Sequence, residues 1–235
     1  MWSQKLDSSI ELFTCWPQIL DIGFYRHDPG EQVLGGMNVS FAFSGPCNAG
    51  KTTLMQKIKD HFGPDIHIVG ECIRERIGSI DAVRNNTVEY FRLQQEVIAK
   101  KIRQEDEAIQ TKKGKLILVD RSLADSLFYL TFYVDIKDLN PALKDEYAKF
   151  VKYLTDVARA RKRYDIIFMM QPLPVKTRDV VRPTDLALTQ TIEHQIIETL
   201  NIGLFTGLSK LTKVDVRAEE KQIIDACEEA LSEIR

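Results

Sequence analysis

Four residues at fixed spacing, Gly45, Gly50, Lys51 and Thr52, fill the pattern GxxxxGK[ST] within the stretch Val-Ser-Phe-Ala-Phe-Ser-Gly-Pro-Cys-Asn-Ala-Gly-Lys-Thr-Thr at positions 39–53. Each residue type answers a need of phosphate binding. Gly45 lets the chain turn sharply, and Gly50 lets backbone N–H groups close on phosphate oxygens with no Cβ in the way. Lys51 brings a point charge to the terminal phosphates, and the Thr52 hydroxyl can hold Mg²⁺. Gly45, Asn48, Ala49, Gly50, Lys51, Thr52 and Thr53 are therefore the candidate cradle for a triphosphate. A helix starting near Gly50 adds its positive N-terminal end. The plainer alternative is a glycine-rich turn with an accidental lysine. Against it stand the strand-type run Val39, Phe41, Phe43 before the loop and the helical pattern Leu54, Ile58, Phe62 after it.

A phosphate loop alone does not define a reaction; its partners do. Asp120 ends a four-residue apolar run, where it can orient the metal held by Thr52, and Arg121 beside it can reach phosphate oxygens. An ordinary surface ion pair is the alternative for these two. Glu71 follows a short second strand and could take a proton from an attacking hydroxyl; an exposed loop glutamate is the bland reading. Arg74 and Arg76 could bind a substrate phosphate or pair with Glu75 or Glu71. Gln95 falls on the apolar stripe of a long helix and could read a base edge or a carboxamide through paired hydrogen bonds, or be satisfied by backbone. Gln94 is expected to point elsewhere. Lys176, Arg178 and Arg182 lie in the Pro-flanked connection 171–184, which has the make-up of a lid that closes over a transferring phosphoryl group, excludes water and supplies positive charge.

The elements that must position these groups alternate strand and helix along the chain. Helices are expected at 50–62, 86–112, 123–134, from Asn140-Pro141 toward Ala158, from Asp185 past Leu200, and at 218–233. Strands are expected at Val39–Phe43, Ile66–Val69, Leu116–Val119, Ile166–Met169 and Val214–Val216. The βαβα alternation predicts an α/β fold with a parallel sheet and helices on both faces. Residues 1–37 read as an N-terminal extension, too apolar for a disordered tail. It is either a cover packed on the core's own flank or a dimer arm or flap near the site. Residues 38–235 form the main domain.

Composition narrows the classes. The chain has 235 residues, enough for one full core, and a formal net charge of -2, which offers no global attraction to nucleic acid or to an anionic membrane. Its four cysteines are scattered without a CxxC pair, which argues for a reducing, cytoplasmic setting and against a zinc site. The basic run Arg159–Arg163 reads as a solvated helix end rather than a nucleic-acid patch. No guanine-reading Asn-Lys-x-Asp motif follows a strand, and the length is short for a full AAA+ module with its helical lid domain.

Taken in order, GPCNAGKTT, VGECIRER (69–76), EYFRLQQE (89–96), DRSLADSLFY (120–129) and YDIIFMMQP…RDVVRPTD (164–185) resemble the NadR-type, ribosylnicotinamide-kinase-like P-loop family, related in architecture to thymidylate and deoxynucleoside kinases. The resemblance spans about residues 39–217. It implies a P-loop NTPase fold with a five-stranded parallel sheet in the order 2-3-1-4-5, ATP and Mg²⁺ as donor, and a nucleoside or nucleotide acceptor. It gives Lys51 and Thr52 the phosphate and metal roles and makes Glu71 the strand-end acid. Asp120 and Arg121 match the acidic-Arg-Ser motif, and Arg182 matches the lid arginine. The lid departs from the family pattern, with Val180 where glycine is usual. The expectation is a small kinase acting on a nucleoside or nucleoside monophosphate. The alternative is a nucleotide-dependent switch acting through a partner, with a nucleic-acid end kinase behind both.

Overall fold

The computed structural model describes residues 38–46, 49–71, 86–160, 164–171, 190–192, 194, 196, 210–214 and 220–234, with backbone only for 158–160 and 210–214. The N-terminal extension 1–37, Asn48, Arg74, Arg76, and the whole of the expected lid except Gln171 lie outside these residues, including Lys176, Arg178 and Arg182.

Strand β1 (Val39–Ser44) leads into helix α1 (Lys51–Phe62), and β2 (Ile66–Val69) follows a short 3-10 turn. The long helix α2 (Thr87–Thr111) precedes β3 (Leu116–Asp120). Helices α3 (Leu123–Tyr133) and α4 (Pro141–Ala160), strands β4 (Ile166–Met170) and β5 (Lys210–Val214), and helix α5 (Glu220–Ile234) complete the described elements. All four strand pairings are parallel, and the order across the sheet is β2-β3-β1-β4-β5. Parallel neighbours need crossover connections, and α1 and α2 serve that purpose here.

Alternation along the strands sends successive side chains to opposite faces. Phe41, Phe43, Leu116, Leu118, Phe168 and Met170 pack with Leu54, Met55 and Ile58 of α1 and with Ile223, Cys227 and Leu231 of α5. The intervening positions Ala42, Ile117, Val119, Ile167 and Met169 are also buried. The hydroxyl of Ser44, of the same parity, bonds into α3, which places α3 on that second face. A sheet buried on both sides explains why β3 and β4 read as unbroken apolar runs.

Two boundaries differ from expectation. Asp120 belongs to β3 itself and sits opposite Phe43 in the register. The last described strand is Lys210–Val214, which begins four residues before the expected Val214–Val216, and residues 215 and 216 lie outside the described residues. Its sequence, Lys-Leu-Thr-Lys-Val, carries two apolar residues rather than an apolar run, and the strand lies at the sheet edge. Only part of the helix expected from Asp185 is described: residues 190–192 are helical, and Ile192 and Ile196 are buried.

Candidate functional site

The register brings the carboxyl ends of β1, β2 and β3 side by side, with Val69 beside Val119 and Asp120 beside Phe43. At this edge Gly45 leaves β1 with φ 131°, which an L side chain rarely adopts. A Cβ there would also collide with the carbonyl oxygen of Met170 in β4. Both facts demand glycine. Ala49 is fully buried in the core cluster, anchoring the loop from below. Gly50, at φ 78°, is the residue before α1 and gives that helix no side-chain cap. The first-turn amides are thus left to an anion rather than to a Ser or Asp side chain.

The Lys51 ammonium folds back over the loop and donates to the carbonyl oxygens of Gly45 at 2.9 Å and Pro46 at 2.6 Å. Thr52 donates its hydroxyl to Asp120 Oδ2 at 2.8 Å, joining the start of α1 to the end of β3. Asp120 is 3% exposed, and its Oδ1 is buried with no hydrogen-bond partner among the described residues. Buried carboxylate oxygens ordinarily have partners. An orphaned oxygen beside a threonine hydroxyl is a donor set suited to a hard cation such as Mg²⁺, so the residues present fit the metal.

Arg121 adopts φ 70°, the one non-glycine residue with positive φ among those described. Its guanidinium donates to Glu71 Oε1 at 2.7 Å, to the Gly45 carbonyl at 3.1 Å and to the Tyr129 hydroxyl at 3.3 Å. It also lies over the Tyr129 ring, 4.9 Å from the centroid. Arg121 and Glu71 side chains are 11% and 14% exposed, so this pair is far from an ordinary surface ion pair. Here the Arg121 donors face Glu71, the loop carbonyl and Tyr129 of α3. Likewise Glu71 pairs with Arg121, one strand over. The contacts of Arg74 and Arg76 fall outside the described residues.

Gln95 also requires correction. It is half-exposed and donates to Glu146 of α4 at 3.0 Å while accepting from Arg92. The interior amide is Gln94, 2% exposed, which donates to the Tyr90 hydroxyl at 2.8 Å. The buried face of α2 runs through Tyr90, Phe91, Gln94, Ile98, Lys101, Ile102, Glu105 and Ala108. Phe91, Ile98 and Ile102 lie on the apolar stripe that the sequence shows, whereas Val88 at the start of the helix is exposed. Three buried polar residues share the buried face.

Two features escape sequence reading. Asp125 is fully buried and collects donors at the edge: Oδ2 accepts from the Ser44 hydroxyl at 2.6 Å and from the Ser122 amide and hydroxyl at 2.8 Å. Its Oδ1 accepts from the Gly45 amide at 3.0 Å. Ser122 and Asp125 together form a capping box at the start of α3. The signal Ser-x-x-Asp was there to find, since that spacing before an apolar run is a helix-start pattern. The second feature is the buried pair Lys101–Glu105, whose ammonium also donates to the Asp120 carbonyl at 3.0 Å. Nothing in local spacing distinguishes it from an exposed i,i+4 ion pair.

A phosphate loop at the β1–α1 turn, with an aspartate and an arginine at the end of the neighbouring strand on a parallel sheet, defines a P-loop NTPase-like α/β protein. The AAA domain family matches residues 40–206, and the chain belongs to that family. None of the curated proteins matches the sequence significantly. Among solved structures the chain is similar to NadR protein in complex with NR, with a TM-score of 0.60 and 14% identity over 83% of this chain. It spans about half, 52%, of that NadR chain. It is also similar to deoxyadenosine kinase from M. mycoides, with bound dCTP (TM-score 0.56) and with bound dATP (TM-score 0.55). Both comparisons are at 16% identity and cover 83% of this chain and 100% of the kinase. The resemblance to the NadR-type P-loop family holds at the level of the fold. Among the described residues, no helix is long and apolar enough to cross a membrane.

Proposed function

We propose that the protein is an ATP-dependent phosphotransferase acting on a nucleoside or a nucleoside monophosphate, with β5 completing the five-strand sheet of that kinase architecture. The observation that carries the reading is the Glu71–Arg121–Gly45 chain of hydrogen bonds. It ties a carboxylate on the acceptor side of the crevice to the phosphate loop itself. A carboxylate held there can take the proton of an attacking acceptor hydroxyl, as phosphoryl transfer requires.

The chain's own residues would act as follows. The loop from Gly45 to Thr53 and the first turn of α1 receive the donor's phosphates, and Lys51 exchanges its two carbonyl partners for phosphate oxygens. Thr52 Oγ1 and Asp120 Oδ1 would hold Mg²⁺, which when bound neutralises phosphate charge and fixes the geometry of the terminal groups. Glu71, steadied by Arg121, takes the proton from the acceptor hydroxyl as its oxygen bonds to the γ-phosphorus. The bond to the β,γ-bridging oxygen breaks, and ADP departs with the electron pair. Arg178 and Arg182 of the 171–184 connection counter the charge that develops on the transferring group and help exclude water. Gln94, rather than Gln95, would address a base edge. Arg74 and Arg76 would decide between a nucleoside and a monophosphate.

The test is a panel of nucleosides and nucleoside monophosphates with ATP and Mg²⁺, read as acceptor-stimulated ADP release and as phosphorylated product. One acceptor should be turned over, and Lys51→Ala should lower turnover by roughly a hundred- to a thousandfold. Near-normal transfer by Lys51→Ala would overturn the assignment. ADP release indifferent to every acceptor would favour a nucleotide-dependent switch instead.

A further inference from the structure

Lys101, Glu105 and Tyr164 are 4%, 1% and 1% exposed. They form one connected polar cluster. The Lys101 ammonium donates to the Asp120 carbonyl at 3.0 Å and is 3.0 Å from Glu105 Oε1. The Tyr164 hydroxyl donates to the Glu105 carboxylate at 3.1–3.2 Å and accepts from the Leu123 amide at 3.2 Å. The cluster therefore grips the backbone on both sides of Arg121 and Ser122: a carbonyl at the end of β3 and an amide at the start of α3.

That short turn is where the site is made. It contains the left-handed Arg121, a conformation that a bulky side chain keeps only when its surroundings over-determine it. It also aims Asp120 at Thr52 and Arg121 at Glu71. Burying a lysine and a glutamate is a poor way to gain stability, because desolvation consumes most of the attraction between them. Their placement has a better account in geometry. We infer that Lys101, Glu105 and Tyr164 are positioning residues that hold the 120–123 turn in its site-forming conformation, and so set the metal-dependent part of nucleotide binding. The last clause rests on the function proposed above; the first stands on the backbone alone.

The experiment separates positioning from bulk stability. In Lys101→Met/Glu105→Leu both buried charges are gone, so the melting temperature should recover most of what either single change loses. If the inference is right, the recovery stops there. Amide hydrogen exchange at residues 121–123 of the nucleotide-free protein should stay about tenfold faster than in the parent. The gain in ATP affinity that Mg²⁺ confers should likewise stay about tenfold smaller, with Mg²⁺-free affinity unchanged. Tyr164→Phe, which deletes one hydroxyl and leaves the Leu123 amide unpaired, should speed exchange at Leu123 alone and lower the melting temperature less than either single charge change; it serves as the arbiter if the double variant does not fold. Parent-like exchange at 121–123 in either folded variant overturns the inference. A parent protein that binds no ATP refutes the proposed function, and the exchange measurement then decides the positioning role by itself.

Discussion

Asp125 is the residue whose loss should be felt most for its size. Two hydroxyls and two amides of the site edge point at its carboxylate, and it is fully buried. Truncation to alanine leaves these donors unsatisfied, and breaking such a buried, charge-assisted set costs about 3 kcal/mol or more. Asp125→Ala should therefore lower the urea midpoint markedly while leaving the m-value unchanged; a midpoint close to the parent's would show that water replaces the carboxylate. The phosphate-loop residues were legible because their types obey a spacing rule that operates within eight consecutive positions. The role of Asp125 was not, because a buried hub and a solvated helix-start aspartate have the same local sequence. Gln94 and Gln95 show the same limit more sharply. Adjacent positions on a helix differ by about 100°, and choosing the inward one depends on which neighbour packs against it.

At the scale of elements, the approach of the β1 end to β4 is the tightest backbone contact that the site demands. Gly45 has both a forbidden φ for a side chain and no room for a Cβ against Met170. Gly114, in the turn before β3, has φ 70° but nothing within 4 Å of a built Cβ. Gly114→Ala should cost about 1 kcal/mol, the backbone term alone. Gly45→Ala should cost about 2 kcal/mol or more and abolish nucleotide binding, since β1 and β4 must part to admit the methyl group. Thermal melts of both variants, with and without ATP, check the contrast; equal melting temperatures would contradict it. Element types were readable throughout because α1, α2 and the central strands carry clear periods. β5 was harder to place because Lys-Leu-Thr-Lys-Val, at the sheet edge, lacks the apolar run that marks β3 and β4.

Across the whole molecule, one pH response follows from packing alone. His67 in β2 is half-buried, and its pKa is held below the ordinary 6.5, first by desolvation and then by Lys112, Lys59 and Lys115, with Glu107 opposing. A depressed histidine is bound to fewer protons folded than unfolded. Stability should thus be undiminished above 6.5 and fall as the pH drops below it toward the folded value. Denaturation midpoints across this range should slope downward on acidification, and His67→Asn should flatten part of the slope; an unchanged slope would remove His67 as the cause. The sequence by itself determined the class: a phosphate loop between a strand and a helix, on a parallel α/β frame, because those signals are local and periodic. Only the tertiary structure decided what surrounds that loop. Glu71, Lys101, Tyr164 and the Arg121–Asp125 segment come from four separate stretches of chain, and long-range register, not spacing, brings them to one edge. Their partners are chosen by burial, which removes water as a competitor and makes each unpaired donor or acceptor costly.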